Sequence, residues 1–188
     1  MGNPYEKCPV YENRHYLLKF VDIADAPDLL LVYSDEKAVP FFNSDNCGGD
    51  DFHYTSLERM QGAIEYWQWE YQRKGFVRWT IFDKTIQHAI GTIELFNRWS
   101  DDYFNNCGLL RLDLRSDYEQ TESIFEILSL ITQPSFDLFE CKIIATKVPP
   151  FASERKTAVR KMGFAESEEK LVGGHDRKIY TDYYVLQR

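Results

Sequence analysis

The stretch Gly108-Leu-Leu-Arg-Leu-Asp-Leu114 decides the fold expected for this chain. Its leucines recur at alternate positions, which predicts a strand with one apolar face. A helix is expected next, from about Glu122 until the Gln133-Pro134 pair ends it. The apolar run Lys142-Ile-Ile-Ala-Thr-Lys-Val148 then predicts a buried strand. A strand, a helix and a second strand in one sheet require a parallel neighbour and a right-handed crossover.

Antiparallel strands surround that unit. Residues 77–82 alternate in hydrophobicity, Asp83-Lys84-Thr85 can turn the chain, and residues 88–96 return as the second arm of a hairpin. Residues 16–21 predict an earlier strand and residues 178–186 a final one. The predicted sheet thus has four antiparallel strands, at residues 16–21, 77–82, 88–96 and 178–186, together with the parallel pair. The prediction is a mixed sheet that is mostly antiparallel.

Helices fill the remaining segments. Residues 25–33 begin with acids and an early proline, as helix starts do. Thr55 and Glu58 form a predicted capping box, an apolar stripe at steps of three and four follows, and Gly75 ends that helix. Ser153 can cap a last helix that Gly163 closes. The prediction is an α/β or α+β fold in one domain over residues 1–188, with residues 1–14 as an N-terminal extension.

Composition excludes several classes of protein. The 188 residues are 44% hydrophobic and 28% charged, which excludes intrinsic disorder. Thirty acidic against 22 basic residues give a net charge of −8, so binding to nucleic acid is not expected. The sequence has no apolar run of about 20 residues and no secretory signal core near its start, which predicts a cytoplasmic protein without a membrane span.

Other chemistries lack their spacing. The four cysteines and four histidines are scattered, so the sequence predicts free thiols and no metal site. The chain has neither the G-x-S-x-G pattern of serine hydrolases nor the G-x-x-x-x-G-K pattern of nucleotide hydrolases.

The element order, with Ile90-Gly-Thr-Ile-Glu-Leu95 on the hairpin and Lys161-Met-Gly-Phe164 closing the last helix, resembles the GNAT acyltransferase superfamily. The branch with the best likeness is similar to ribosomal-protein N-terminal acetyltransferases, and the resemblance covers residues 16–186. It implies a GNAT-type sheet with a central parallel pair and helices on both faces. It also implies acetyl-CoA as cofactor and transfer of an acetyl group to a primary amine.

In this superfamily a loop after the fourth strand cradles the cofactor's pyrophosphate, with glycines that let backbone N–H groups approach. The matching stretch here has Glu119 where a basic or amide residue belongs, and Gln120 and Glu122 at the glycine positions. The two carboxylates stabilise the helix start but would repel a diphosphate. The resemblance assigns to the cofactor Leu112, Leu114, Tyr118, Glu119, Gln120, Thr121, Glu122, Ser123 and Arg155.

Acetyl transfer needs a base for the amine and a proton for the leaving thiolate. Glu94 is the candidate base, since it is an acid on an otherwise apolar strand arm, although it could also face solvent. Asp113 is a second catalytic candidate or else the partner of a simple ion pair with Arg111. The usual tyrosine near the last helix is missing, which leaves the acid unassigned or supplied by water or by Tyr183 or Tyr184 of the tail, although tail tyrosines could also be packing residues.

Three acids occupy the longest irregular segment, residues 41–54, at the mouth of the acceptor cleft that the resemblance implies. Asp45, Asp50 and Asp51 predict a cationic amine acceptor, small molecule or peptide, although they could simply form turns. Two hypotheses therefore stand: an N-acetyltransferase, and a GNAT-fold binding or regulatory module that has lost the cofactor. A homodimer is left open.

Overall fold

A computed structural model describes residues 2–188, and an eight-stranded sheet organises them. The strands are β1 (Tyr11–Glu12), β2 (Tyr16–Phe20), β3 (Val77–Asp83), β4 (His88–Arg98), β5 (Cys107–Leu114), β6 (Ile143–Lys147), β7 (Ala165–Glu166), β8 (Leu171–Val172), β9 (Ile179–Tyr180) and β10 (Tyr183–Gln187). The helices are α1 (Ala26–Tyr33), α2 (Leu57–Gln72), α3 (Thr121–Leu138) and α4 (Ser153–Lys161).

The order across the sheet is β1-β2-β3-β4-β5-β6-β10-β7, while β8 and β9 pair separately. The pair β5–β6 is parallel, and its neighbours on both sides are antiparallel. The predicted mixed, mostly antiparallel sheet with a central parallel pair is therefore confirmed. The paired register of β5 and β6 ends at Leu110 and Thr146, yet β5 continues to Leu114. The two strands thus leave a gap beyond that point.

The two faces of the sheet differ in chemistry because side chains alternate along each strand. On one face, Trp79, Ile93 and Leu112 join the apolar core formed with Ile127 and Ile131 of α3. On the other face the alternate positions carry charge, and these side chains lie under α1 and α2. The buried charged and hydroxyl residues of that face are Arg78, Thr80, Thr92, Glu94, Arg111 and Asp113.

Helix α3 does not end at Gln133-Pro134, so that predicted boundary is wrong. A proline inside a helix removes one backbone hydrogen bond, at about 3 kcal/mol. Beyond it, Ser135, Phe136 and Leu138 are buried against the sheet, and the Ser135 hydroxyl donates to the Ile131 carbonyl at 2.6 Å. Burial of this last turn offsets the lost bond.

The start of α2 differs from its prediction, and the end of α4 agrees with it. Ser56, rather than Thr55, caps α2, since its hydroxyl accepts the Arg59 N–H at 3.2 Å. Gly163 closes α4 as expected, with φ at +94°, a conformation that residues with a Cβ rarely adopt. Among residues 2–188, no helix is long and apolar enough to cross a membrane.

Candidate functional site: a strand gap closed by Arg155

The gap between β5 and β6 is where the resemblance places the cofactor. Leu112 and Leu114, two predicted cofactor residues, lie on β5 beside or beyond the point where pairing with β6 ends. Arg155 of α4 extends into this gap, and its Nη1 donates to the Leu112 carbonyl at 2.9 Å. The same Nη1 donates to the Phe41 carbonyl at 3.1 Å. The Arg155 side chain is therefore hydrogen-bonded to a backbone carbonyl on the open edge of β5.

The guanidinium of Arg155 is also paired with a carboxylate. Its Nε donates to Glu119 Oε2 at 3.1 Å, and its Nη2 donates to Glu119 Oε1. The Arg155 and Glu119 side chains are 3% and 5% exposed. Two forked bonds to the carboxylate and two carbonyl contacts give every nitrogen of Arg155 a partner. A buried ion pair is stable in this form because no polar atom of the arginine is left without a bond.

The start of α3 is likewise occupied. The first N–H groups of a helix lack partners within the helix and carry partial positive charge, so they attract anions. Here the Thr121 N–H donates to Glu154 Oε2 at 2.9 Å, and the Thr121 hydroxyl donates to the same oxygen at 2.5 Å. These two hydrogen bonds lower the pKa of Glu154 below its ordinary value. Just upstream, the Ser116 N–H donates to Asp35 Oδ2 at 2.9 Å.

The other predicted loop residues have partners of their own. The Tyr118 hydroxyl donates to Asp83 Oδ2 at 2.7 Å, and the Gln120 amide donates to the Asp117 carbonyl at 3.0 Å. Glu122 pairs with Lys161 of α4 at 3.0 Å, and both side chains are exposed. Burial raises the pKa of Tyr16, and the nearby Ser123 side chain partly offsets that effect.

These contacts do not fit acetyl-CoA. The cofactor's pyrophosphate needs free N–H groups and a clear approach, but Glu154 already accepts the Thr121 N–H and Gln120 and Glu122 carry side chains where glycines belong. The Leu112 carbonyl that faces the gap is bonded to Arg155. Glu119 and Glu122 at the helix start are paired with Arg155 and Lys161, which leaves the Glu154 carboxylate to repel a diphosphate.

Glu94, the candidate base, lies in a buried network on the α1–α2 face of the sheet. It pairs with Arg78 through one oxygen and accepts from Arg111 Nη1 at 2.8 Å through the other. Burial alone would raise the pKa of Glu94, but the two arginines outweigh it and the pKa is lowered. A general base works best with a pKa near the operating pH. The geometry makes Glu94 a bridge between two arginines, while its catalytic role stays a prediction.

Asp113 lies next to this bridge. Its Oδ2 accepts the Tyr33 hydroxyl at 2.8 Å and Arg78 Nη1 at 3.2 Å, and Thr92 lies 2.7 Å from the same hydroxyl. Burial raises the pKa of Asp113, and Arg78 offsets only part of that effect. Arg78 also stacks on the Trp67 ring at 4.1 Å. The sheet and the helices α1 and α2 are therefore joined by a charged layer.

Tyr183 and Asp45 meet on the other side of the gap. The buried Tyr183 hydroxyl donates to Asp45 Oδ2 at 3.0 Å, and Lys147 Nζ lies 2.7 Å from both oxygens of that carboxylate. Burial, followed by the charge of Asp45, raises the pKa of Tyr183 well above its ordinary value. Arg111 Nη2 donates to the Asp45 carbonyl at 2.9 Å. Tyr184 instead lies near Glu166, to which its hydroxyl donates at 2.9 Å.

The three loop acids are not grouped as a free acidic surface. Asp45 is buried in its pair with Lys147. Asp50 pairs with Arg59 at 2.7 Å and accepts the Tyr54 hydroxyl at 3.0 Å. Asp51 is exposed and accepts the N–H of His53 at 3.0 Å. Two of the three charges are therefore already paired within the chain.

Several residues of the site were missed from the sequence, among them Arg78, Tyr33, Lys147 and Glu154. For Arg78 a signal existed: the hairpin register places it opposite Glu94, which itself lies opposite Arg111 on the next strand. Opposite charges facing each other across three strands predict a buried ionic row. Nothing in the sequence brings Glu154 of α4 to the start of α3, since that contact depends on how the two helices pack.

Two surface cavities lie away from the gap. One, of about 300 Å³, is lined by residues that include Tyr103, Gly163, Glu166 and Leu186. Another, of about 290 Å³, lies between α3 and the C-terminal residue, with Gln133, Asp137 and Arg188 among its walls. Neither is lined by the predicted cofactor residues. The Arg155–Glu119 pair lies at the gap, where the resemblance places the cofactor.

The sheet order, the parallel pair that diverges at its end and the helix that follows β5 define the fold of GNAT acetyltransferases. Solved structures share it over nearly the whole chain. The ribosomal-protein-S5-alanine acetyltransferase from Vibrio fischeri is 14% identical, with a TM-score of 0.70 and 96% of each chain covered. RimL, a ribosomal-protein acetyltransferase in complex with coenzyme A, is 13% identical, with a TM-score of 0.70, 95% of this chain covered and 98% of the other.

A GNAT-family acetyltransferase from Bacillus anthracis is 11% identical, with a TM-score of 0.67 over 95% of this chain and 98% of that one. No protein-family model matches the sequence. No curated protein matches it either. At these identities the likeness establishes the fold, and the expected resemblance to ribosomal-protein acetyltransferases is confirmed at that level.

Proposed function

We propose that this chain is a binding module built on the GNAT acetyltransferase fold, and that its own side chains hold the cofactor groove closed. The observation that carries the proposal is the Arg155 guanidinium, bonded to the Leu112 carbonyl inside the strand gap and paired there with Glu119. The Glu154 carboxylate on the Thr121 N–H supports it, since an internal anion already occupies the helix start.

The buried Arg155–Glu119 pair makes the groove costly to open, and this cost lowers the affinity for a ligand. Separating a buried ion pair so that one charge is left without its partner costs about 3–5 kcal/mol. A ligand that must first open the groove loses that amount from its binding free energy. At about 1.4 kcal/mol per tenfold change, an opening cost of 4 kcal/mol weakens apparent binding roughly a thousandfold. A cofactor that would bind at micromolar concentration would then need millimolar concentration.

Thermal unfolding with acetyl-CoA tests this proposal. At about 100 µM acetyl-CoA the wild type should keep its melting temperature, because that is about a tenth of a millimolar dissociation constant, whereas a groove that binds at micromolar concentration would be at 100 times its dissociation constant and would gain about 2.7 kcal/mol of stability. A matched variant opens the groove with Arg155→Ser and restores the family loop pattern with Glu119→Gln, Gln120→Gly and Glu122→Gly. It removes both members of the buried pair together, so no buried charge is left alone.

The proposal expects a rise in melting temperature for the opened variant and none for the wild type. A rise for the wild type would overturn it. No rise for either protein would contradict the assignment of the closure to these four side chains. The pair Glu119→Gln with Glu122→Gly alone should also strengthen coenzyme A binding, because the Glu122 charge leaves the helix start and Arg155 loses the carboxylate that now pairs with it, which frees its guanidinium for a phosphate. Calorimetry measures that change directly.

A second candidate function is acyl-CoA-dependent N-acetylation of an amine, probed with a cationic acceptor. It is favoured by the structural neighbours, which are described as acetyltransferases, one of them in complex with coenzyme A. Release of thiol from acetyl-CoA in the presence of a peptide amine or a polyamine measures it. Under this candidate, changing the exposed Asp51 to Asn raises the Michaelis constant of the amine and leaves that of acetyl-CoA unchanged, whereas Asp45 and Asp50 are already paired with Lys147 and Arg59.

A further inference from the structure

Lys147 carries an ammonium group at the edge of the strand gap. It is the last residue of β6, one position beyond Thr146, where the pairing of β6 with β5 ends. Its Nζ lies 2.7 Å from both oxygens of Asp45 and 5.6 Å from the centre of the Tyr180 ring. The Lys147 side chain is 21% exposed, whereas that of Asp45 is 10% exposed. The lysine is thus partly open to solvent, and the carboxylate is largely closed off from it.

The Asp45 carboxylate is fixed by groups other than Lys147. The Asp45 N–H donates to Asn43 Oδ1 at 3.1 Å, and the Asp45 carbonyl accepts from Arg111 Nη2 at 2.9 Å. The Tyr183 hydroxyl donates to the carboxylate at 3.0 Å. These bonds hold the backbone and one carboxylate oxygen of Asp45 without the lysine. We therefore expect the carboxylate to keep its place when the lysine leaves.

The Tyr180 ring is held independently as well. Its hydroxyl donates to Asp176 Oδ2 at 2.5 Å and accepts the Asn46 N–H at 3.0 Å. The turn of the β8–β9 hairpin closes tightly on Asn46, since a Cβ at Gly173 would lie 2.9 Å from Asn46 Oδ1. The His175 N–H donates to the same oxygen at 2.9 Å. The face of an aromatic ring attracts a cation, so the ring adds a second attractive group beside the carboxylate.

We propose that Asp45, Tyr183 and Tyr180 form a binding site for a primary alkylammonium group, and that Lys147 occupies this site when no ligand is bound. The ligand class follows from the occupant, because a lysine side chain is itself a primary alkylammonium ion. Its compact charge with several N–H donors suits a carboxylate beside an aromatic face. The inference rests on the proposed function only in naming a ligand for that binding module, because the bonds of Arg155 go to other residues.

Lys147 competes with any ligand for the carboxylate. A ligand binds only to the fraction of molecules in which the lysine has left Asp45, so its apparent dissociation constant rises by the inverse of that fraction. The covalent tether keeps the lysine at a high effective concentration near the site. The wild type should therefore bind an alkylammonium ion at least about tenfold more weakly than a variant that lacks the lysine.

The variant Lys147→Ala tests the site with n-propylammonium. The substitution removes Cγ, Cδ, Cε and Nζ, which together have the shape of this ligand. The ligand is titrated to roughly 50 mM, because so small a molecule binds in the millimolar range. The expected result is saturable binding in NMR titration and a rise in melting temperature. Uncharged 1-propanol at the same concentration should produce neither.

Lys147→Met is the matched control, because it removes the same charge but keeps the space filled with a chain of similar length. It should not bind n-propylammonium, and adding Asp45→Asn to Lys147→Ala should abolish binding. No saturable binding by the folded Lys147→Ala variant overturns the proposal. Equal binding by the alanine and methionine variants, or binding that survives Asp45→Asn, overturns it as well, since the ligand would then be attracted only to surface charge.

The wild type provides a test that does not depend on the folding of a variant lacking the Lys147 side chain. The ammonium protons of Lys147, followed by NMR, exchange more slowly with water while they are bonded to Asp45. Displacement by n-propylammonium should speed this exchange. Tetramethylammonium at the same ionic strength has no N–H to donate and should have no such effect. Equal effects of the two salts overturn the proposal.

Two sources of an alkylammonium group are compared on the Lys147→Ala variant. Putrescine represents a free polyamine, and N-acetyl-lysine amide represents a lysine side chain of a peptide. Tighter binding of putrescine assigns the site to a polyamine, and tighter binding of the lysine amide assigns it to a peptide. Binding of neither overturns the proposal. Coenzyme A is absent from all these measurements, so the ammonium site and the closed cofactor groove are tested separately.

Discussion

Replacing Arg155 by alanine removes the positive member of the buried pair in the strand gap. Glu119, 5% exposed, is then left with an uncompensated charge, and the Leu112 and Phe41 carbonyls each lose a donor. Removal of one partner from a buried ion pair costs about 3–5 kcal/mol. Since a domain of this size shifts by about 2–4 °C per kcal/mol, the melting temperature should fall by roughly 10 °C.

Chemical denaturation of Arg155→Ala beside Arg160→Ala measures the effect. Arg160 lies on the same helix and pairs with Glu166, but the two side chains are 59% and 57% exposed. That variant should lose at most about 0.5 kcal/mol. A double variant, Arg155→Met with Glu119→Leu, should regain at least half of the stability lost, because no buried charge is left alone. A loss below about 1 kcal/mol for Arg155→Ala would refute the buried pairing.

Three further outcomes are expected. Glu94→Ala should lower the unfolding free energy by about 3–5 kcal/mol, because two buried arginines lose their shared carboxylate. Burial by itself would raise the pKa of Asp102, but hydrogen bonds from Arg98 and the Val172 N–H outweigh burial and lower the pKa to about 2. The ionised Asp102 carboxylate thus adds about 1 kcal/mol to the unfolding free energy after screening by solvent. This stabilisation is present above the pKa that the carboxyl has in the unfolded chain, and it is lost as the pH falls from about 4 to 2. Asp45→Asn should destabilise by about 1–2 kcal/mol, because the half-buried Lys147 loses its charged partner.

Matched variants separate these effects from general damage. Glu94→Gln keeps the shape and should cost less than Glu94→Ala, and equal losses would argue against the paired bridge. Asp102→Asn should remove the extra loss of stability on acidification, measured by denaturation at several pH values. Asp51→Asn should be neutral within about 0.5 kcal/mol because its carboxylate is exposed, and a loss equal to that of Asp45→Asn would contradict the burial difference.

The fold could be predicted largely from the sequence because alternation and the strand–helix–strand unit depend on local pattern. The stretch Gly108–Leu114 and the run Lys142–Val148 became the parallel pair as expected. The predicted end of α3 at Gln133-Pro134 was wrong because of tertiary packing. Burial of the last turn of α3 outweighs the local tendency of proline to end a helix. Propensity describes single residues and does not include the surface that a neighbouring sheet offers.

The site was harder to predict than the fold. The missing glycines at Gln120 and Glu122 were evident from the sequence, and so was the charge of Glu119. The sequence did not show that Arg155 crosses into the gap or that Glu154 occupies the start of α3. Both contacts join segments far apart in the chain, and only the packing of α4 against α3 brings them together.

The most direct test of the closed groove is the Arg155 Nε–H resonance, followed by NMR in water at neutral pH. Its assignment comes from its loss in the Arg155→Met, Glu119→Leu variant. A buried, hydrogen-bonded guanidinium proton exchanges slowly with solvent. The expected result is a slowly exchanging signal that roughly 100 µM coenzyme A leaves unchanged, because a thousandfold weakening to a millimolar dissociation constant leaves less than about a tenth of the protein bound at that concentration. A signal that exchanges freely, or one that coenzyme A shifts as it binds, would contradict the closed groove.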